Sequence, residues 1–319
     1  MRIGFDSKRL FTNFTGLGNY SRALVSNYHQ AFPEDELFLF TPTIKHDPRT
    51  QSFLDQAEFN IIQPRNKVLW RTLNIVEDIH RSNAEIYHGL SHELPIGISK
   101  LDIGKVVTIH DLIFKYYPAD NTWIDNQMYD WKWKHACLAA DKIIAISEQT
   151  KNDILHFYNI LPEKIVVIYQ PSDKLFSQPV RPEEIESAKS RYKLPPVFNL
   201  YVGSIISRKN LMVIIKAMAL IPPQERLPLV IIGNGKNYKK KVLEEAARIH
   251  VDHLLVWLGS PAFKDFPAIY KSAQMMIYPS LHEGFGLPVI EAFQIGIPVI
   301  TSNQSSLKEA GGDAALLID

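Results

Sequence analysis

At 319 residues, 46% hydrophobic and 22% charged, the chain is long enough to bury two cores of ordinary size, so two domains are expected. A formal net charge of +1 argues against a globally basic nucleic-acid binder, so any bound anion must be held by local groups. The single cysteine, Cys137, rules out a disulfide framework within the chain and points to a reducing, cytoplasmic setting; within WKHACLAADK it reads as a small core residue rather than a nucleophile.

In chain order, runs rich in Ile and Val alternate with amphipathic stretches. RIGFD reads as a strand entering a loop, with no basic leader ahead of a long apolar region, and no stretch approaches the length of a membrane span. A helix from Leu17 follows, then the strands LFLF and EFNII, a helix over Val68 to Arg81, and the strands EIYH and KVVTIH. Next come a helix over Trp123 to Ala140, the strand KIIAI, a helix opened by Ser147 as N-cap with Glu148 and Asp153 in its early turns, and the strand KIVVIY. Continuous apolar strands separated by helices imply a parallel sheet covered on both faces. The run QPSDKLFSQPVRPEE, residues 170 to 184, is polar, carries three prolines and shows neither period, so it is expected to be a linker. Domains of 1–175 and 176–319 follow. The second alternation has FNLYVG, LPLVII, HLLVWLG, QMMIYPS and IPVIT as strands, with helices near Leu211, Lys239, Asp265 and Val289. Both domains are thus α/β and doubly wound, and ligands are sought in the loops beyond the carboxyl ends of the strands.

Three such loops carry chemistry. Gly16-Leu17-Gly18-Asn19-Tyr20-Ser21 lies between the first strand and a helix, where backbone N–H groups can approach a phosphate. Ser21 closes the run and LFLFTP supplies no carboxylate, which disfavours a nicotinamide site; the plain alternative is a turn with no ligand. Arg208-Lys209-Asn210 follows the strand LYVG, and two cations opening a helix can neutralise a diphosphate, the alternative being a solvated basic turn. In YPSLHEGFGLPVIE a strand ends, a glycine loop carries Glu283, and a helix carries Glu291 eight positions later. Two separated carboxylates suit the hydroxyls of sugars, and the loop N–H groups suit an anion, although a glutamate early in a helix is also plain dipole chemistry.

The segment from PSLHEGFGLPVIEAF to AALLID resembles the donor-site signature of glycosyltransferase family 4, whose E-x7-E pattern Glu283 and Glu291 match. YVGSIISRKNL, the GLGNY loop, TIHDLIF and ADKIIAISEQTKNDI extend the resemblance over most of the chain. Within the family the chain is most similar to mannosyltransferase-like enzymes of bacterial polysaccharide and lipopolysaccharide assembly. The resemblance implies the GT-B fold, two Rossmann-like domains facing a cleft, an acceptor-side domain first and a nucleotide-sugar donor domain second. It also implies C-terminal helices beyond AALLID, for which this sequence has no counterpart past Asp319.

Position by position, the resemblance implies that Glu283 touches the donor sugar with the backbone of Gly284, Phe285 and Gly286, beside Leu287, and that Glu291 holds the ribose. Lys209 and Arg208 would meet the diphosphate near Gly203, with Gly16 and Gly18 approaching from the first domain. His110, ending KVVTIH, would sit near sugar and acceptor, the alternative being a hydrogen-bonded structural histidine. Many relatives carry an arginine where Ser204 follows Gly203, so either a weaker phosphate clamp or another cation in its place is expected here. No D-x-D triplet occurs, so no metal cofactor is expected. The implied reaction is metal-independent transfer of a hexose with retention, with GDP-mannose as donor and UDP-hexoses behind it, to a saccharide or lipid-linked saccharide. The alternatives are a sugar-nucleotide epimerase of similar build and a catalytically silent nucleotide-sugar-binding homologue. Cations mixed with tryptophan at 64–71 and 129–134 make peripheral contact with the inner face of a membrane a candidate, against ordinary helices with inward tryptophans.

Overall fold

The computed structural model describes residues 1–65 and 67–319; Asn66, inside the basic stretch 64–71, lies outside the described residues. The chain folds as two compact units, Met1–Pro171 and Ser172–Asp319.

The first unit has seven strands: β1 (Arg2–Asp6), β2 (Glu36–Phe40), β3 (Phe59–Ile62), β4 (Ile86–Gly89), β5 (Gly104–Ile109), β6 (Lys142–Ala145) and β7 (Ile165–Val167). All pair in parallel in the order β3-β2-β1-β4-β5-β6-β7. Ile3 of β1 lies between Leu37 of β2 and Ile86 of β4, which fixes the register at the centre of the sheet. On β2 the side-chain period of two sends Leu37 and Leu39 into one core, with Leu10, Phe11 and Val25, and Phe38 and Phe40 into another, with Trp70, Ile79 and Val107. Both faces are therefore covered, and each fully buried leucine or phenylalanine contributes roughly 1.5–3 kcal/mol by leaving water.

The second unit has six strands: β8 (Asn199–Val202), β9 (Leu229–Ile232), β10 (Leu255–Gly259), β11 (Met275–Tyr278), β12 (Val299–Ser302) and β13 (Leu316–Ile318). They are parallel in the order β10-β9-β8-β11-β12-β13. Each unit is thus doubly wound, and its strand order reverses at one point, between β1 and β4 in the first and between β8 and β11 in the second.

Several elements match the expected ones closely. Gly16–Ala31 and Trp123–Ala139 are helices, and Ser147 caps Glu148–Tyr158 by accepting the Thr150 N–H at 3.0 Å. Cys137 is buried, and that burial pushes its thiol up to about 12. Two expectations are refined. The polar run 170–184 does hold the boundary between the units, at Pro171 and Ser172, but it is not unstructured, because Phe176 is buried against Phe263 and Tyr270 and a helix, Pro182–Tyr192, opens inside the run. Proline at the first helical position with Glu183 and Glu184 in the first turn supplies the start signal. The helix Val68 to Arg81 is interrupted, since Leu69 has φ 51°, Trp70–Asn74 forms a wide π turn, and the α-helix runs only over Ile75–Arg81. Trp70 is buried there and donates to Asp78 Oδ2 at 2.6 Å, so it is not an exposed anchor. Among the described residues no helix is long and apolar enough to cross a membrane.

Candidate functional site

The reversal point of the second sheet gathers the loops that follow β8 and β11. After β8 come Gly203, the exposed Ser204, and a tight turn Ser207–Lys209 that ends on Asn210 with φ 55° before the helix Leu211–Leu220. After β11 comes the glycine loop, then the helix Leu287–Ile295. Gly286 is required between them, because its φ is 106° and a Cβ there would lie 2.6 Å from Leu307 Cδ2.

The two loops meet. Lys209 Nζ lies 2.5 Å from Glu283 Oε1, and Arg208 Nη1 lies 3.6 Å from the same oxygen. The Arg208 guanidinium also donates to the carbonyl of His282, and the Leu281 N–H donates to the Arg208 carbonyl at 2.9 Å. Ser305 and Ser306 hydroxyls donate to the Glu283 carbonyl at 2.9 and 2.8 Å, and Ser305 Oγ accepts the Glu283 N–H at 3.1 Å. Burial pushes the Glu283 carboxyl up, but Lys209 and Arg208 outweigh it and hold the group below its ordinary value, so it stays ionised. A buried ion pair at the carboxyl end of a sheet, beside backbone N–H groups, is equipped to exchange partners with a charged, hydroxyl-rich ligand.

Two tyrosines complete the arrangement. Tyr278, the buried last residue of β11, donates to Glu283 Oε1 at 2.9 Å and accepts from Lys209 Nζ at 2.5 Å. Burial, then Glu283, raises its pKa well above the ordinary value, so the phenol keeps its proton. Tyr270, buried in the helix Phe266–Ser272, donates to Glu291 Oε2 at 2.8 Å. Burial pushes Glu291 up to about 7, opposed by the Tyr270 bond and reinforced by Asp173. Sequence reasoning missed both phenols. Tyr278 carries a readable signal as the last residue of a strand that leads into the glycine loop; Tyr270 carries none, because its partner is 21 residues away. Of the remaining expected residues, Phe285 is buried, while Gly284 and Leu287 are half-buried along the loop and the helix start.

In the first unit, Gly16 and Gly18 lie inside the first turns of Gly16–Ala31. The Gly18 N–H is taken by Asn13 Oδ1 at 3.1 Å, and a Cβ on Gly18 would fall 1.7 Å from the Asn13 carbonyl oxygen. Glycine is therefore needed for a close crossing of two backbone segments, and this N–H is already satisfied. His110 follows β5 and is buried. Its Nε2 donates to the Leu90 carbonyl at 2.9 Å, and Gln170 Nε2 donates to its Nδ1 at 2.6 Å. Both ring nitrogens are engaged, the tautomer is fixed, and burial lowers the pKa to about 4, so the ring is neutral near pH 7. Donation to a sugar requires Nε2 to release Leu90.

The family description "Glycosyltransferase Family 4" matches residues 15–173, and "Glycosyl transferases group 1" matches residues 182–319. The chain is 29% identical over 343 residues to O-antigen chain mannosyltransferase B of Escherichia coli, covering 100% of this chain and 87% of that one. It is 25% identical over 250 residues to O-antigen chain mannosyltransferase RfbU of Salmonella typhimurium, covering 78% and 64% respectively. Among solved structures, Anabaena Alr3699/HepE in complex with UDP and glucose superposes with a TM-score of 0.72 at 16% identity, over 99% of this chain and 85% of that one.

Proposed function

Because the chain belongs to the glycosyltransferases of family 4 and group 1, we propose that it moves a hexose from a nucleotide sugar to a saccharide or lipid-linked saccharide during polysaccharide assembly. The observation that carries this reading is the meeting of Lys209 and Glu283 at the reversal point of the second sheet. The donor is read as GDP-mannose, supported by similarity to two O-antigen mannosyltransferases, with UDP-hexoses as the competing donors.

Lys209 and Arg208 place positive charge where the departing diphosphate gains negative charge, which is the largest lever available to this reaction. Glu283, held by Tyr278 and by the loop backbone, accepts from sugar hydroxyls, and Glu291 accepts from the ribose. The acceptor oxygen bonds to the anomeric carbon on the face the diphosphate leaves; the carbon–oxygen bond to phosphate breaks, and the leaving phosphate takes the acceptor's proton. Retention of configuration rests on the resemblance to family 4, and metal independence on the absence of any D-x-D triplet in the sequence. His110 serves by exchanging its Leu90 bond for one to sugar or acceptor. Contact with an anionic membrane belongs to the same reading and rests on Trp123, Ile124 and Trp131, which are exposed on one helix; flotation with anionic liposomes at low and high salt tests it, and no binding at either removes it.

The test of the donor assignment is a thermal-shift panel of nucleotide sugars. Ligand at 100 times its Kd stabilises the native state by about 2.7 kcal/mol, so the true donor raises the midpoint by several degrees. The largest shift is expected with GDP-mannose, and no shift with any nucleotide sugar would end this reading.

A further inference from the structure

The reversal point of the first sheet holds a second charged constellation. Lys8 and Arg9 follow Asp6, the last residue of β1, and Ser91, His92 and Glu93 follow β4, the adjacent strand. The two carboxylates are already committed. Asp6 Oδ2 takes two bonds from Arg71, at 2.5 and 2.8 Å, and Glu93 is shared between Arg71 at 2.8 Å and Lys132 at 3.3 Å. Ser91 Oγ accepts a further Arg71 bond at 3.0 Å.

Lys8 and Arg9 are left over. Both are half-buried, and among the described residues neither the Lys8 ammonium nor the Arg9 guanidinium makes a hydrogen bond or an ion pair. Arg9 Nε is enclosed with no acceptor among the described residues. Burial, then Arg71 and Arg9, hold the Lys8 ammonium below its ordinary pKa, with Glu93 and Asp6 opposing. The charge of Arg9 reaches His92 and His110 as well. Half-buried cations without partners are costly, and an enclosed N–H without an acceptor adds to that cost. A doubly wound sheet binds ligands at this very place, beyond the carboxyl ends of the strands flanking the reversal. A guanidinium fork beside an ammonium matches the oxygens of a phosphoryl group.

We propose that Lys8 and Arg9 form an anion subsite on the first unit that takes a phosphoryl group of a ligand other than the nucleotide sugar. Its assignment to the acceptor rests on the transferase reading; the subsite itself does not.

The probe is inorganic pyrophosphate, titrated calorimetrically into full-length protein carrying Lys209→Ala to weaken binding on the second unit. Binding that weakens as salt is raised is expected to persist there, and adding Lys8→Gln and Arg9→Gln should weaken it about tenfold or more. With Lys209 intact, the Lys8→Gln Arg9→Gln protein should bind nucleoside diphosphates within about twofold of the parent. The half-exposed Lys8→Gln alone and the charge-keeping Arg9→Lys guard against misfolding; the first should weaken pyrophosphate binding and the second should preserve it. The proposal is overturned if the Lys209→Ala protein binds no pyrophosphate, or if Lys8→Gln and Arg9→Gln leave its binding unchanged. It is also overturned if they weaken nucleoside diphosphate binding equally, since the anion is then the donor's. A protein that binds pyrophosphate in this way but responds to no nucleotide sugar would end the transferase reading and leave the subsite standing.

Discussion

At the reversal point of the second sheet, Arg208 and Lys209 close on Glu283, and a phenol between lysine and glutamate fixes the geometry before any ligand arrives. At the corresponding point of the first sheet, the carboxylates of Asp6 and Glu93 are consumed by Arg71 and Lys132, and among the described residues Lys8 and Arg9 make no ion pair. In the second unit two cations converge on one carboxylate, whereas in the first two cations are left over after both carboxylates have been paired. A paired set keeps its side chains ordered, whereas leftover cations favour whichever anion reaches them, with a strength that depends on ionic strength.

The largest expected effect separates the two points directly. If Lys209 meets the leaving diphosphate as proposed, Lys209→Ala should lower turnover about a thousandfold, while Lys8→Ala at saturating acceptor should change it less than about tenfold. Steady-state kinetics on the two purified proteins decide this, and equal losses would erase the distinction. Next comes Gly18→Ala, which forces a methyl into the Asn13 carbonyl and should cost about 1–3 kcal/mol in denaturant unfolding, whereas Gly16→Ala, with open space around its Cα, should cost less than about 1 kcal/mol. Similar costs at both would refute the close-crossing account.

Smaller again is Tyr278→Phe, which keeps the ring and removes one hydroxyl from between Lys209 and Glu283; a loss of about 1–2 kcal/mol in stability and about tenfold in kcat/KM is expected. An unchanged kcat/KM would show that the ion pair needs no brace. The subtlest test uses the two glutamates of one motif. Glu291 has its pKa raised to about 7, so between its unfolded value near 4.5 and 7 the native state holds the extra proton and stability falls as pH rises. Glu283 is lowered, so its contribution is present above 4.5 and is lost as pH falls through its depressed folded pKa. Unfolding measured from pH 5 to 8 should therefore lose part of its downward slope in Glu291→Gln; an unaltered slope would sink the assignment.

Much of this was legible in the residues. Strand positions follow from apolar runs covered on both faces, and the two loops of the second unit were readable because glycine, cations and carboxylates sit at strand ends. What escaped reading depends on pairs distant in sequence. Tyr270 reaches Glu291 across 21 residues, and Arg71 turns inward because Asp6, 65 residues earlier, awaits it. The π turn at Trp70–Asn74 is set by the burial of Trp70, which overrides the helical pattern around it. In the Gly16–Gly18 run the local pattern suggested an open phosphate loop, yet Asn13 had already supplied the acceptor.

The placement of Phe176 governs where this protein can be cut. Similarity to the second family begins at residue 182, which invites an excised fragment starting there. Such a fragment would leave a ring-sized void against Tyr270 and Phe263 and forfeit the bond from Ser172 to Gln294, a penalty of about 3–5 kcal/mol for the lost aromatic alone. A durable excised half begins at Ser172, ten residues before sequence similarity would suggest.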